Sequence, residues 1–195
     1  MVASKVHSNS GMRWLRLLLA WTMASSLGAV STVAAVLTEY EAKAGFLYHF
    51  GWFVAWPATA GNGHDRPFII GVLGADPFGS VLDAVIEGKT VQERPVVVKR
   101  FGRVEDATSS HILFISASEE VRLSSILEVL GRTSVLTVSE IERFTERGGM
   151  IALKMVDRKV RFDINVDATA RVGLKMSSQL LKLARDIRGT PRTGE

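Results

Sequence analysis

Residues 68–88 read FIIGVLGADPFGSVLDAVIEG, and this stretch decides the fold. Phe68-Ile69-Ile70-Gly71-Val72-Leu73 is a short continuous apolar run, the pattern of a strand buried on both faces. Gly74-Ala75-Asp76-Pro77-Phe78-Gly79 is turn chemistry, and Asp76-Pro77 opens a helix through about Ile86 that Gly88 stops. The alternation continues downstream. Pro95–Val98 begins a second strand and HILFI, residues 111–115, is a third. Ser118 caps a helix with Glu119 and Glu120 in its first turn, ending at Gly131. SVLTV, residues 134–138, is a fourth strand, and a short helix from Ser139 to Arg147 precedes Gly148-Gly149. Met150–Val156 and Lys159–Asn165 form two strands joined at Asp157-Arg158, a tight hairpin. A last helix is expected from Lys175 to Arg188. Strands alternating with helices argue for a three-layer α/β domain. The expectation is a mainly parallel sheet of about six strands, an antiparallel C-terminal hairpin at its edge, and about five flanking helices.

Upstream, residues 38–56 read as a helix. Thr38 serves as N-cap, Glu39 and Glu41 sit in the first turn, and Pro57 ends it. The turn-rich loop Ala58–Arg66, with Gly61-Asn62-Gly63, leads to the first strand.

The chain begins as an exported protein begins. Lys5, Arg13 and Arg16 precede an uncharged run from Leu17 to Thr38, and the first acid is Glu39. A basic start, an apolar middle and small residues at the end make a secretory signal. Cleavage fits after Ala35, with Val33 at the −3 position, or after Ser31, with Ala29 there; Ala35 is taken as the boundary. A retained anchor is the competing reading, because the 22 uncharged residues could span a bilayer. Ser25, Ser26, Gly28, Ser31 and Thr32 dilute the run and favour cleavage. Residues 1–35 are therefore expected to be a signal peptide and 36–195 one domain, its last few residues disordered.

Cleavage changes the charge argument. The chain has 24 basic and 20 acidic residues, but three of the basics and none of the acids lie in the signal. The pI near 9.6 thus belongs largely to the signal, and nucleic acid is not an expected partner. There is no cysteine, which excludes disulfides, thiolate catalysis and cysteine-held metals.

The residues after Glu39 carry the most unusual feature. Phe46, Tyr48, Phe50, Trp52, Phe53 and Trp56 place six aromatics in eleven residues. On a helix Phe46, Phe50 and Phe53 share one face, and Tyr48, Trp52 and Trp56 form another stripe. Either the second stripe is covered by the loop after Pro57, or it meets a partner chain or a small ligand, since Tyr and Trp are favoured at interface hot spots. Tyr48, Trp52 and Trp56 are accordingly the candidate partner or dimer interface. Ala75, Ser116 and Ser118 lie at strand ends where α/β ligand crevices open, and they are the candidate ligand crevice. The glycine turn at 74–79 has no GxGxxG, and Asp76 can itself occupy the place of an anion. No serine sits in a GxSxG elbow, and His49, His64 and His111 are scattered. No catalytic residue, cofactor or metal site is expected.

Taken together, the blocks resemble the YfiR family of exported bacterial proteins. They are residues 40–50 followed by Trp56-Pro57, the G-x-D-P-F-G turn at 74–79, HILFIS at 111–116, Gly148-Gly149-Met150-Ile151, residues 160–165, and residues 174–184. The resemblance covers about residues 38–188. It implies a periplasmic α/β domain that dimerises and holds an inner-membrane diguanylate cyclase inactive by binding its periplasmic part. Release would raise cyclic di-GMP and favour biofilm growth. The well-known member carries disulfide-forming cysteines tied to redox control; this chain has none, so thiol sensing does not carry over. A periplasmic small-molecule binder serving a receptor or transport system is the alternative, with its crevice at Ala75 and Ser116.

Overall fold

The computed structural model describes residues 27–57 and 66–189, with side chains from Glu39 onward. Most of the expected signal, the His64 loop and the expected disordered tail lie outside the described residues. The chain divides into two compact units, Met1–Thr38 and Glu39–Glu195, and the sheet belongs to the second.

Among the described residues the expected α/β architecture is present as an eight-stranded sheet, a separate two-stranded pair and six helices. Helix α1 is Leu27–Phe53, followed by β1 (Val54–Ala55). Then come β2 (Phe68–Leu73), α2 (Ser80–Ile86), β3 (Thr90–Val91), β4 (Arg94–Phe101), α3 (Val104–Ala107) and β5 (Ile112–Ile115). A 3₁₀ turn at Ala117–Arg122 leads into α4 (Leu123–Leu130), then β6 (Leu136–Ser139), β7 (Ile151–Val156) and β8 (Lys159–Asn165). The chain ends with α5 (Val166–Arg171), β9 (Lys175–Met176), α6 (Ser178–Leu183) and β10 (Asp186–Arg188).

The main sheet has the order β10-β8-β7-β6-β5-β2-β4-β3. All its neighbours pair parallel except the hairpin β7–β8 and the edge pair β3–β4. Strand β2 is buried at every position, as its unbroken apolar run requires. The hairpin turn has φ of 49° at Asp157 and 59° at Arg158, the left-handed pair of a two-residue turn that follows strand twist. The hairpin is not the edge, however, because β10 adds outside β8.

The sheet curls around the part of α1 from Glu39 to Phe53. Phe46 and Phe50 set their rings 5.5 and 5.4 Å from Phe162 of β8, while Gly51 lies against Val91 of β3. Five strands separate β8 from β3 in the sheet, so one helix can touch both only if the sheet wraps it. Ala44, Leu47, Phe50 and Val54 fill that concave core together with Leu82, Phe114, Phe162 and Leu180. A second core, on the convex face, joins Leu73, Leu113 and Ile115 to Leu123, Ile126 and Leu130 of α4.

Several boundaries differ from the sequence expectation. Thr38 lies inside α1 rather than capping it, since Val33–Leu37 contains no helix breaker. The helix stops at Phe53, not Trp56: Val54 and Ala55 pair with Met176 and Lys175, and the Ser177 amide donates to the Phe53 carbonyl. Helix α2 starts at Ser80 because Asp76 caps the turn before it, accepting from the Phe78 amide at 2.8 Å. Ser116, not Ser118, caps the next helical segment. Residues 140–147 form turns instead of a helix, where Arg143 takes a φ of 56° that no helix tolerates. The expected last helix is divided: Ser177 caps the short α6, Ala184 is extended, and β10 pairs with β8. Helix α5, capped by Asn165, had no counterpart in the sequence reading.

Two glycines are required by close approach. Gly149 sits under Phe144, whose buried ring occupies the space of any Cβ. Gly74 has a φ of +88°, and a Cβ there would lie 2.5 Å from Ser118 Oγ.

Candidate functional site

The aromatic stripe is divided by the end of α1. Tyr48 is half-buried; its hydroxyl donates to the Thr90 carbonyl at 3.1 Å, and Lys89 Nζ lies 4.8 Å over its ring. Trp56 is past the helix, so the expected i, i+8 spacing fails. Its indole N–H donates to the His111 carbonyl at 3.3 Å and its ring meets Phe68 edge-on at 5.3 Å. Trp52 remains 49 % exposed, the one exposed Phe, Tyr or Trp among the described residues. The Phe face behaves as its spacing demands: Phe50 is buried, with Phe46 and Phe53 packed against the same core.

The crevice candidates converge at the end of β2 and β5, where the strand order reverses. The Ala75 amide donates to Ser118 Oγ at 2.9 Å, and the Ser118 amide to Ser116 Oγ at 3.3 Å. Glu119, almost fully buried, packs over Gly74 and is held by Arg122. The protein's own side chains thus occupy the mouth of the glycine turn. Beside it opens a cavity of about 310 Å³ floored by Leu73, Val104 and Ile126, with Arg103 and Arg122 at the rim.

Two polar clusters escaped the sequence reading. Lys43 is only 3 % exposed and pairs with Glu39 and Glu140, the last also accepting from the Tyr40 hydroxyl. The i, i+4 spacing of Glu39 and Lys43 was legible, but Glu140 joins them only through the fold. The second is His111, 3 % exposed and stacked 4.5 Å from Phe68. Its Nδ1 accepts from the Ile69 amide at 3.0 Å, which leaves the proton of the neutral ring on Nε2. Nε2 has no hydrogen-bond partner among the described residues.

Burial, with Arg94 adding repulsion, lowers the His111 pKa to about 4. A second proton would also have to displace the Ile69 amide from Nδ1. The unfolded imidazole titrates near 6.5, so the unfolded state binds protons first. Stability is therefore expected to fall as pH drops from about 6.5 toward 4, by about 3 kcal/mol in all. Chemical denaturation across that range should show the loss, and His111→Asn should flatten it.

Among the described residues no group of three or more His, Asp or Glu stands ready to hold a metal, and no helix is long and apolar enough to cross a membrane.

The curled sheet, the helix inside it and the open Trp52 define a mixed α/β domain whose distinctive surface is aromatic and lies on its central helix. The chain belongs to the YfiR/HmsC-like family, whose model matches residues 40–185. That family is one of periplasmic regulators rather than of enzymes. No curated protein matches the chain. Among solved structures it is similar to a conserved domain protein from Vibrio cholerae O1 biovar El Tor, at 11 % identity and a TM-score of 0.46. The match covers 62 % of this chain and 54 % of that one, so it spans about half of the Vibrio chain's length.

Proposed function

We propose that this chain is a periplasmic regulatory binding protein that restrains an inner-membrane diguanylate cyclase by contact with the cyclase's periplasmic part. Trp52 carries the reading: it is the one exposed Phe, Tyr or Trp among the described residues, on the solvent side of α1 with Glu41, Ala42 and His49, and a half-open tryptophan there is surface held for a partner. Tyr48 and Trp56 are themselves tied down, Tyr48 to Thr90 of β3 and Trp56 to the His111 carbonyl just before β5. The restraint works by binding one state of the cyclase more tightly than the other, the minimum by which any ligand shifts an equilibrium. The protein acts as a dimer in this reading.

Trp52→Ala tests it. The variant should keep its unfolding free energy within about 1 kcal/mol and lose cyclase capture from membranes by roughly 30-fold or more. Cyclic di-GMP in the cell should rise accordingly, and size measurements on the same variant show whether the dimer is lost with the partner. A destabilisation of about 3–5 kcal/mol would make Trp52 a core residue and end the proposal. So would a wild-type pull-down that recovers no cyclase.

A further inference from the structure

We propose that the convex face of β7, β8 and β10 is a docking surface for the anionic headgroups of a phospholipid bilayer. Strand pairing assembles it. The register Val156↔Lys159 and Lys154↔Arg161 puts Lys154, Lys159 and Arg161 on one face of the hairpin. Ala152, two positions before Lys154, belongs to the convex core, which identifies that face; Val160 and Phe162, which alternate with them, belong to the concave core. Strand β10 extends the same face, since Arg188 pairs with Asn165 and Asp186 with Asp163. The left-handed turn adds Arg158 at the tip.

The charge is concentrated there. Residues 154–163 and 185–188 hold six basic and three acidic side chains, a net of +3. Residues 39–195 as a whole hold 21 basic and 20 acidic, a net of +1, so everything outside this face sums to −2. One of the three acids lies on this face but is covered by its own cations. Asp163 is 3 % exposed, beneath Lys154 at 2.8 Å and Arg185 at 2.8 Å. It anchors two of the cations while Arg158, Lys159, Arg161 and Arg188 remain exposed. Glu146, held by Arg143, borders the face.

The composition selects the occupant. A protein interface needs a desolvated centre of aromatic or apolar anchors, with charges at the rim. Here the outward positions offer only the half-buried Val156. A field of Lys and Arg without an anchor suits a surface that is itself a sheet of negative charge, each side chain adding attraction that salt screens. Trp52 lies on α1, inside the curl of the sheet, so this face stands apart from the proposed cyclase contact and does not rest on it.

Co-sedimentation of the exported protein with vesicles tests this without any cyclase. Vesicles of phosphatidylcholine with phosphatidylglycerol should capture it, and pure phosphatidylcholine should not. Capture should fall by roughly tenfold or more when Lys159, Arg161 and Arg188 are changed to Glu, and likewise at high salt with the wild-type chain. Changing Lys99, Arg132 and Lys175 to Glu alters the net charge equally and should leave most of the binding intact. Equal capture by neutral vesicles, equal loss in the two triple variants, or no capture of the wild type by anionic vesicles would overturn the proposal. The salt arm keeps the test valid if a triple variant fails to fold.

Discussion

Phe50→Ala is expected to destabilise the domain by about 3–5 kcal/mol, the range for deleting a buried phenylalanine from a packed core. The ring is 1 % exposed and sits between Phe46 and Phe162, with centroids 6.0 and 5.4 Å away. Alanine would empty the space between the central helix and β8, and the neighbours that could fill it are themselves held. Phe46 is already against Phe162, and Leu47 is fully buried on the next turn. In a domain of this size the midpoint of thermal unfolding should fall by roughly 10 °C. Urea denaturation checks it directly. A loss below about 1 kcal/mol would mean that α1 is not what the sheet closes upon.

The second large effect is expected at Lys43. Its ammonium is out of water, paired with Glu39 at 2.5 Å and with Glu140, and 4.5 Å over the Tyr40 ring. Burial works to lower its pKa, but the hydrogen bonds it donates to the two carboxylates, with their charge, outweigh burial and leave it raised. For a lysine with a raised pKa, the stabilisation is complete below the ordinary lysine range and is lost only as pH climbs through the folded value. At neutral pH it is therefore fully in place. Lys43→Met would leave two partly buried carboxylates facing each other without a cation, at a cost of about 3–5 kcal/mol. Adding Glu140→Gln should recover part of that, because the charge left unpaired is then removed. Denaturant midpoints of the single and double variants decide it, and equal stability of the two would locate the cost in packing instead.

The two expectations differ in how they could be foreseen. Phe46, Phe50 and Phe53 declare a buried face by spacing alone, because helix periodicity is a local property. Lys43 reads as a solvated charge beside Glu39; its burial follows from Glu140, 97 residues away, which no local pattern links to it. The same division runs through the functional candidates. Tyr48, Trp52 and Trp56 form one stripe only while the helix is assumed to reach Pro57. The pairing of β1 with β9 cuts the helix at Phe53, turns Trp56 toward His111 and Phe68, and leaves Trp52 alone in solvent. At the crevice, the residue types were right for a strand-end opening, but Ser118 and Ser116 already serve the backbone of Ala75 and of Ser118 itself.

What the sequence determined by itself is the α/β class, the buried strands and the tight hairpin. Each depends on residues within a few positions of one another: an apolar run, a turn pair, a helix period. Only the tertiary structure decided the edges and the surfaces. The segment from Lys175 to Arg188 has helical residues throughout. It is divided because Ser177 docks on Phe53, and because Arg185 and β10 find Asp163 and the open side of β8. Edge pairing exchanges intrahelical hydrogen bonds for ladder bonds at little net cost, so local propensity gives way wherever a distant strand offers unpaired groups. The same step sets Arg188 opposite Asn165, on the face of β8 that also carries Lys159 and Arg161, and so assembles a basic face from separate segments.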